Sequence, residues 1–510
     1  MANFKLNPKV THAQRGKETV RNPEGGLVYK TPADISLFLN ASAFKIKNSF
    51  YYGAEETLNS LESLIDATND VEYNLAVAKF LSEVLGIRLS PVLIVTREAL
   101  RTKGLSVETP RDRQVRKLIK SVVPSVFDRP DKITNALAYT QYLAKTFKVL
   151  PPYYKKALRD AFEKFDPYTL RKFKLARRSV KTSDVIKALR PRPRNAQLSA
   201  LYRAILENSH EAAIEKDTVI TEVLSDSSKT EQEKKAWVGV NLAKIPFNAL
   251  IRNLTNVEVT SENLITLSNR FTSGLRVVNG LPSVKVANPF DLLTAAENSK
   301  SDKIMSIADQ ALGNFVSKVE LGLEGADVSV LIDISGSMGP YYARGGEQGI
   351  HIAAKYMSLL LPMLKDSNLK LYAFNTRVIN KTDRVPLYKR MSISPVAVKN
   401  MFLSDFAING GTSLADSVRE VAKQDNPDLL IVISDEVSWA DKYGQNTVAM
   451  FDVGVSVIAI NPYPQGQFTV FDPHKPIVRL SSLDAKIFYY IPMLANFNKF
   501  KSWLKNWAFG

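Results

Sequence analysis

Near residue 326 the chain changes its pattern of apolar and polar positions. From about residue 33 to about residue 320 apolar side chains recur every three to four positions. Leu75, Ala78, Leu81 and Leu85 form one such set, and Leu198, Leu201 and Ile205 form another. These sets predict amphipathic helices over 71–86 and 196–206. Brief breakers separate the segments, at Pro91, Pro110, Pro130, Pro151, Pro152, Pro167, Pro191, Pro193 and Pro246. Many short helices joined by brief turns predict an α-solenoid of stacked helix pairs, with a large irregular helical domain as the alternative. Residues 1–30 are polar and read as an irregular arm.

Beyond residue 326 short apolar runs rich in Val and Ile appear at 328–332, 369–374, 428–433 and 455–460. Helical patterns lie between them, notably over 346–364 and 412–424. Strands alternating with helices predict βαβ units and a mainly parallel sheet, whose ligand sites form at the carboxyl ends of the strands. The expected fold is therefore multidomain. An all-α repeat domain spans 1–325, and an α/β doubly wound domain with a C-terminal helical closure spans 326–510.

Composition narrows the chemistry. The 510 residues are 45% hydrophobic and 23% charged, a globular balance. There is no cysteine, which excludes disulfides, thiolate zinc sites, iron–sulfur clusters and cysteine nucleophiles. The four histidines, His12, His210, His351 and His474, lie far apart, so a histidine metal cluster is not expected. The first residues lack the apolar stretch of a secretory signal, and no apolar run reaches the ~18 residues of a membrane span. A soluble, cytoplasmic protein without a membrane partner is expected.

Charge changes the picture more. The net charge is +17, and residues 101–200, with 25 basic and 8 acidic residues, account for all of it. Two stretches dominate. In the first, Arg111, Arg113, Arg116, Lys117 and Lys120 precede or share a predicted helix whose other face is Val115, Leu118, Ile119 and Val122. In the second, Arg171, Lys172, Lys174, Arg177, Arg178 and Lys181 run on to Lys187, Arg190, Arg192 and Arg194, and residues 171–183 contain no acid. Like charges this dense repel one another, and a polyanion would relieve them. A solvated basic face is the plain alternative; a phosphate-backbone site for nucleic acid is the sharper reading.

A second candidate site closes the first strand run. Asp333, Ser335 and Ser337 form a DxSxS motif, with Gly336 and Gly339 permitting a sharp turn. Thr412, after Gly410 and Gly411, and Asp435, after the third strand run, stand where the topology brings them to the same sheet edge. Oxygen-only donors suit Mg²⁺ first, with Mn²⁺ or Ca²⁺ possible. A metal that only braces the three loops is the plain alternative. The hydroxyls have no histidine base within the motif, and no GxxxxGK[ST] or GxSxG motif occurs, so no catalysis is expected.

The three parts in this order resemble the metal-ion-dependent adhesion site of von Willebrand factor A domains, over about residues 326–475. The resemblance implies direct coordination by Asp333, Ser335 and Ser337. Thr412 and Asp435 would bind directly or through water, and one position would stay open for a ligand carboxylate.

A basic helical array followed by such a domain resembles the Ro autoantigen family, proteins built on the TROVE module. The positions that carry the likeness are Phe38, Leu39 and the segment Phe50 to Glu55, then Lys172, Lys174 and Arg177 with the helix from Asp184. Leu250 to Leu254 resembles an LLRNL motif, and Asn288, Pro289, Phe290 and Leu293 an HPF-like motif. Arg190 and Asn288 stand where the family often has histidine. The resemblance implies a closed ring of HEAT-like repeats, with Y-like small RNA on a basic outer face and single-stranded 3′ ends of other RNAs in a central hole. It further implies a monomer that serves RNA quality control, in bacteria with an exoribonuclease tethered through the RNA. A metal-dependent protein-adhesion or structural module is the competing function.

Overall fold

The computed structural model describes residues 19–21, 27–44, 54–102, 109–172, 180–207, 223–224, 226–278, 281–282, 287–319, 321–339, 348–391, 394–437, 455–463, 468–469 and 477–510. The chain divides into two compact units. One comprises Met1–Ala67, Pro246–Thr255 and Val259–Phe500; the other comprises Thr68–Ile245, Asn256–Glu258 and Lys501–Gly510. The change of sequence pattern at 326 marks where the large sheet begins, and it is not where the packing divides. Helices Ser261–Gly274, Pro289–Asn298 and Asp302–Val316 belong to the same unit as the sheet.

In the helical unit the prolines that punctuate the sequence become helix starts. Pro91, Pro110, Pro130 and Pro152 occupy the first turn of Ser90–Arg101, Pro110–Val126, Pro130–Ala144 and Pro152–Phe162. A proline there sacrifices no intrahelical hydrogen bond and already has the helical φ. Helix Val71–Glu83 packs on Ser90–Arg101 and on Pro110–Val126. Ser90–Arg101 packs in turn on Pro130–Ala144, and Pro110–Val126 on Pro152–Phe162. Each helix thus covers the next one or two in sequence, the local stacking expected of helical repeats. Leu75, Ala78, Leu81 and Leu85 are buried, as are Leu198, Leu201 and Ile205.

The other unit is built on a six-stranded sheet. Its strands are β1 (Asp327–Asp333), β2 (Asn368–Phe374), β3 (Val378–Asn380), β4 (Leu429–Ile433), β5 (Ser456–Ile460) and β6 (Ile477–Leu480). The order is β3-β2-β1-β4-β5-β6, parallel except for β3. Consecutive residues of β1 and β4 are buried, so both faces are covered. On one face Leu331, Tyr372, Phe374, Leu430, Val432, Val457 and Ala459 pack with Leu414, Ala415, Val418 and Val421 of helix Leu414–Asp425. The order reverses direction between β1 and β4, which makes the carboxyl ends of these two strands the topological switch point.

The amino-terminal arm departs from its sequence reading. Thr19–Arg21 and Leu27–Lys30 are antiparallel strands, and the second also pairs with Phe468–Thr469. The pairing is made with a segment more than 400 residues away, which local polarity does not reveal.

Candidate functional site

Asp333 ends β1 and is fully buried, while Asp435 lies just past the end of β4 and is 4% exposed. Asp333 Oδ1 accepts from the Ser335 amide at 2.9 Å, which folds the DxSxS loop back over the strand end. Its Oδ2 accepts from the Ser434 hydroxyl at 2.6 Å, which ties β1 to the loop after β4. The Ser335 and Ser337 hydroxyls lie 3.2 Å apart, and Ser337 also reaches the Asp435 carboxylate. Asp435 Oδ1 accepts from the Val437 amide at 3.1 Å.

The third loop is held to the first by backbone. The Asn409 amide donates to the Ile334 carbonyl at 3.0 Å, and the Gly336 amide donates to the Gly410 carbonyl at 3.0 Å. Gly410 sits at φ +75°, a left-handed conformation that glycine adopts without cost. Thr412, two residues on, is 6% exposed. Asn375, just past β2, seats this loop. Its Nδ2 donates to Asn409 Oδ1 at 2.5 Å, and its carbonyl accepts from the Ser413 amide at 2.7 Å.

Burial pushes both carboxyls above the usual carboxylate range, and the charge of Asp333 pushes Asp435 further. No cationic side chain among the described residues is paired with either. Two adjacent desolvated carboxyls without a cation are costly in the charged form. The set, two carboxyls with the hydroxyls of Ser335 and Ser337 beside them and Thr412 on the loop tied to them by backbone, has the donor chemistry of a hard divalent cation. No group of three His, Asp or Glu side chains with ligand geometry occurs among the described residues. The sequence reading singled out Ser434 only as the residue before Asp435, and missed Asn375 and Glu436 as part of this assembly. Their only local signal is that each is a polar residue directly after a buried strand run or next to the Asp that follows one.

The basic residues separate by burial. Helix Pro110–Val126 opens with a reciprocal cap: Thr109 Oγ1 accepts from the Asp112 amide at 3.1 Å, and Asp112 accepts from the Thr109 amide at 3.1 Å. Arg111, Arg113, Lys117 and Lys120 are exposed. Arg116 is not on that open face. Its guanidinium lies 5.4 Å from the ring centre of Tyr153, and the residue is half-buried. At ~100° per residue, position 116 borders the buried stripe of Ile119, Val122, Val123 and Val126, which explains the difference. Val115 and Leu118, expected in the core, are only partly buried.

In the second basic stretch, Lys181 and Arg190 flank helix Thr182–Leu189 and are exposed. Arg190 closes that helix at φ +52°, its amide donating to the Ile186 carbonyl at 2.9 Å. Lys174, Arg177 and Arg178 lie outside the described residues, as does the side chain of Lys172. Helices Pro110–Val126 and Thr182–Leu189 both pack on Pro152–Phe162, so the two basic segments meet one shared support. Asn288 serves the fold. Its Oδ1 caps helix Pro289–Asn298 through the Phe290 amide at 3.0 Å, and its Nδ2 donates to the Leu483 carbonyl at 2.7 Å.

No helix among the described residues is long and apolar enough to cross a membrane. No protein-family model matches the chain. No curated protein matches it in sequence. Among solved structures, the chain is similar to the crystal structure of the Ro (RSR) protein of Deinococcus radiodurans. The TM-score is 0.50 at 16% sequence identity, and the likeness covers 91% of this chain and 99% of that one. At this identity the likeness establishes the fold, a helical array joined to an α/β domain as expected from the sequence.

Proposed function

We propose that the chain is a non-catalytic RNA-binding scaffold of the Ro type, acting in the cytoplasm. Y-like small RNA occupies its basic face, and single-stranded 3′ ends of other RNAs are further partners. The observation that carries the reading is a fold likeness to a Ro protein spanning nearly the whole of both chains. The placement of all +17 net charges within residues 101–200 agrees with it, because phosphate contacts need long exposed cations such as Arg113, Lys117 and Lys120. Bound RNA then passes to degradation or surveillance, with an exoribonuclease held through the RNA.

The Asp333 site holds Mg²⁺ in this reading. Asp333, Asp435, Ser335, Ser337 and Thr412 supply the oxygens, and a bound cation supplies the positive charge that the buried carboxyls lack. The hydroxyls of Ser335 and Ser337 meet carboxylates and each other, an arrangement that suits ion binding. The same site supports a second reading, a metal-dependent adhesion module in which RNA plays no part.

Purification of the protein from its own cells and sequencing of the RNA that accompanies it tests the first reading. Enrichment of one structured small RNA is expected. Absence of any RNA, with a protein partner captured only in Mg²⁺, would favour the second.

A further inference from the structure

Glu436, immediately after Asp435, is 5% exposed and holds φ +60°. Among the described residues the other long side chains at positive φ, Lys145, Arg190 and Lys300, are exposed and lie just beyond helix ends. Glu436 has neither excuse: it is buried in a loop. A glycine would take this conformation without strain. The side chain must therefore contribute something that glycine lacks.

Its contacts show what. Oε2 accepts from the Thr469 hydroxyl at 2.5 Å, and Oε1 from Asn461 Nδ2 at 3.4 Å. The same Asn461 Nδ2 reaches the Asp435 carbonyl at 3.2 Å. The Glu436 amide donates to Ser434 Oγ at 3.0 Å, and Ser434 donates to Asp333. Glu436 thus reaches the Asp333 carboxylate through its own amide and Ser434, and its side chain shares Asn461 with the Asp435 carbonyl, while its carboxylate is buried directly beside the cation site with its oxygens held by other donors.

We propose that Glu436 is a positioning residue for the cation at Asp333 and Asp435. Its buried carboxylate strengthens divalent-ion binding and directs the ion's outward position to a neutral oxygen, a hydroxyl, carbonyl or water, and away from a carboxylate. This rests on the Mg²⁺ reading of the Asp333 site. Asp333 and Asp435 already balance a divalent ion, and a third buried carboxylate leaves the loaded site net negative. An acidic ligand entering a poorly hydrated pocket would meet that excess charge. The site then differs from the carboxylate-capturing one that the A-domain resemblance implies.

Calorimetric titration of Mg²⁺ into the full-length, chelator-treated protein tests this. Glu436→Gln is expected to weaken Mg²⁺ binding by about 10- to 100-fold, the range for partners behind a metal ligand. The metal-free melting temperature should stay at or above that of the unaltered protein, because the amide is isosteric and the Thr469 hydroxyl can turn to meet it. A merely structural role would lower the melting temperature and leave Mg²⁺ affinity unchanged, and that result overturns the proposal. If the unaltered protein binds no Mg²⁺, the cation reading falls with it. A second arm needs no variant: a glutamate-bearing peptide added to the Mg²⁺-loaded unaltered protein should give no binding heat, and Mg²⁺-dependent capture of that peptide overturns the proposal.

Discussion

The loops around Asp333 and the helix Pro110–Val126 hold charge in opposite ways. The first buries two like-charged groups next to hydroxyls, where position and donor type are fixed by Ser434, Ser337 and the strand ends. The second spreads Arg111, Arg113, Lys117 and Lys120 over an open face, where sign and spacing alone are set. A buried site selects its partner by geometry and is little affected by salt. An exposed face attracts any polyanion, over a Debye length of about 10 Å at 0.1 M salt. The two sites should therefore fail under different treatments, which is the way to separate them.

Salt makes the largest expected difference. If six to ten phosphates are contacted, RNA affinity should fall by about 10³- to 10⁵-fold between 50 and 200 mM salt in a filter-binding assay, with Mg²⁺ binding nearly constant. Parallel losses would erase the distinction. Next, Asp333→Ala should weaken Mg²⁺ binding by at least about 100-fold in calorimetry while RNA affinity stays within about twofold, since it removes a donor and not merely its support. The converse variant, Arg113→Glu with Lys117→Glu, should cost RNA affinity on the order of 10- to 100-fold and leave the Mg²⁺ isotherm alone.

A smaller effect is expected from pH. Both site carboxyls are raised, so in the metal-free protein they hold protons to higher pH than free carboxyls do. That stabilises the metal-free fold at low pH and is lost as pH rises through the raised values. Protons compete with the ion over the same window, so Mg²⁺ affinity should climb between about pH 5 and about pH 8. A flat profile would mean that the two groups titrate normally. The smallest effect is local: Gly410→Ala places a side chain at φ +75° with ordinary room, its nearest neighbour being Asn375 Nδ2 at 3.5 Å. Its cost should be the backbone term alone, about 1–2 kcal/mol by chemical denaturation.

The sheet and the Asp333 site were largely legible because their signals are local. A run such as Val328 to Ile332, short and rich in β-branched residues, reads as a strand buried on both faces, and Asp333, Ser335 and Ser337 follow within one turn of loop. Thr412 and Asp435 were legible once the strands were, since parallel order carries them to the same edge. What stayed hidden depends on distant contacts. The pairing of Leu27–Lys30 with Phe468–Thr469 has no local signature. Arg116 looked like its basic neighbours because spacing does not say that Tyr153 waits beside it. Glu436 looked like an ordinary acid, and only its φ and its link to Thr469 mark it out.

Helix Phe497–Phe509 carries a consequence for how the protein is made. Trp503 and Trp507 stack on each other and meet the edge of Phe80, while Lys505 and Lys501 pair with Asp70. These partners stand more than 420 residues apart, and Lys505 and Asp70 are separated by 435. A ribosome adding about 5–20 residues per second needs roughly 20 to 90 seconds to span that gap. Throughout that time helix Val71–Glu83 has been synthesised and Phe80 lacks its final cover. The first helices of this unit are therefore the ones exposed longest to wrong partners, and a nascent chain halted short of residue 503 should be the form that chaperones hold.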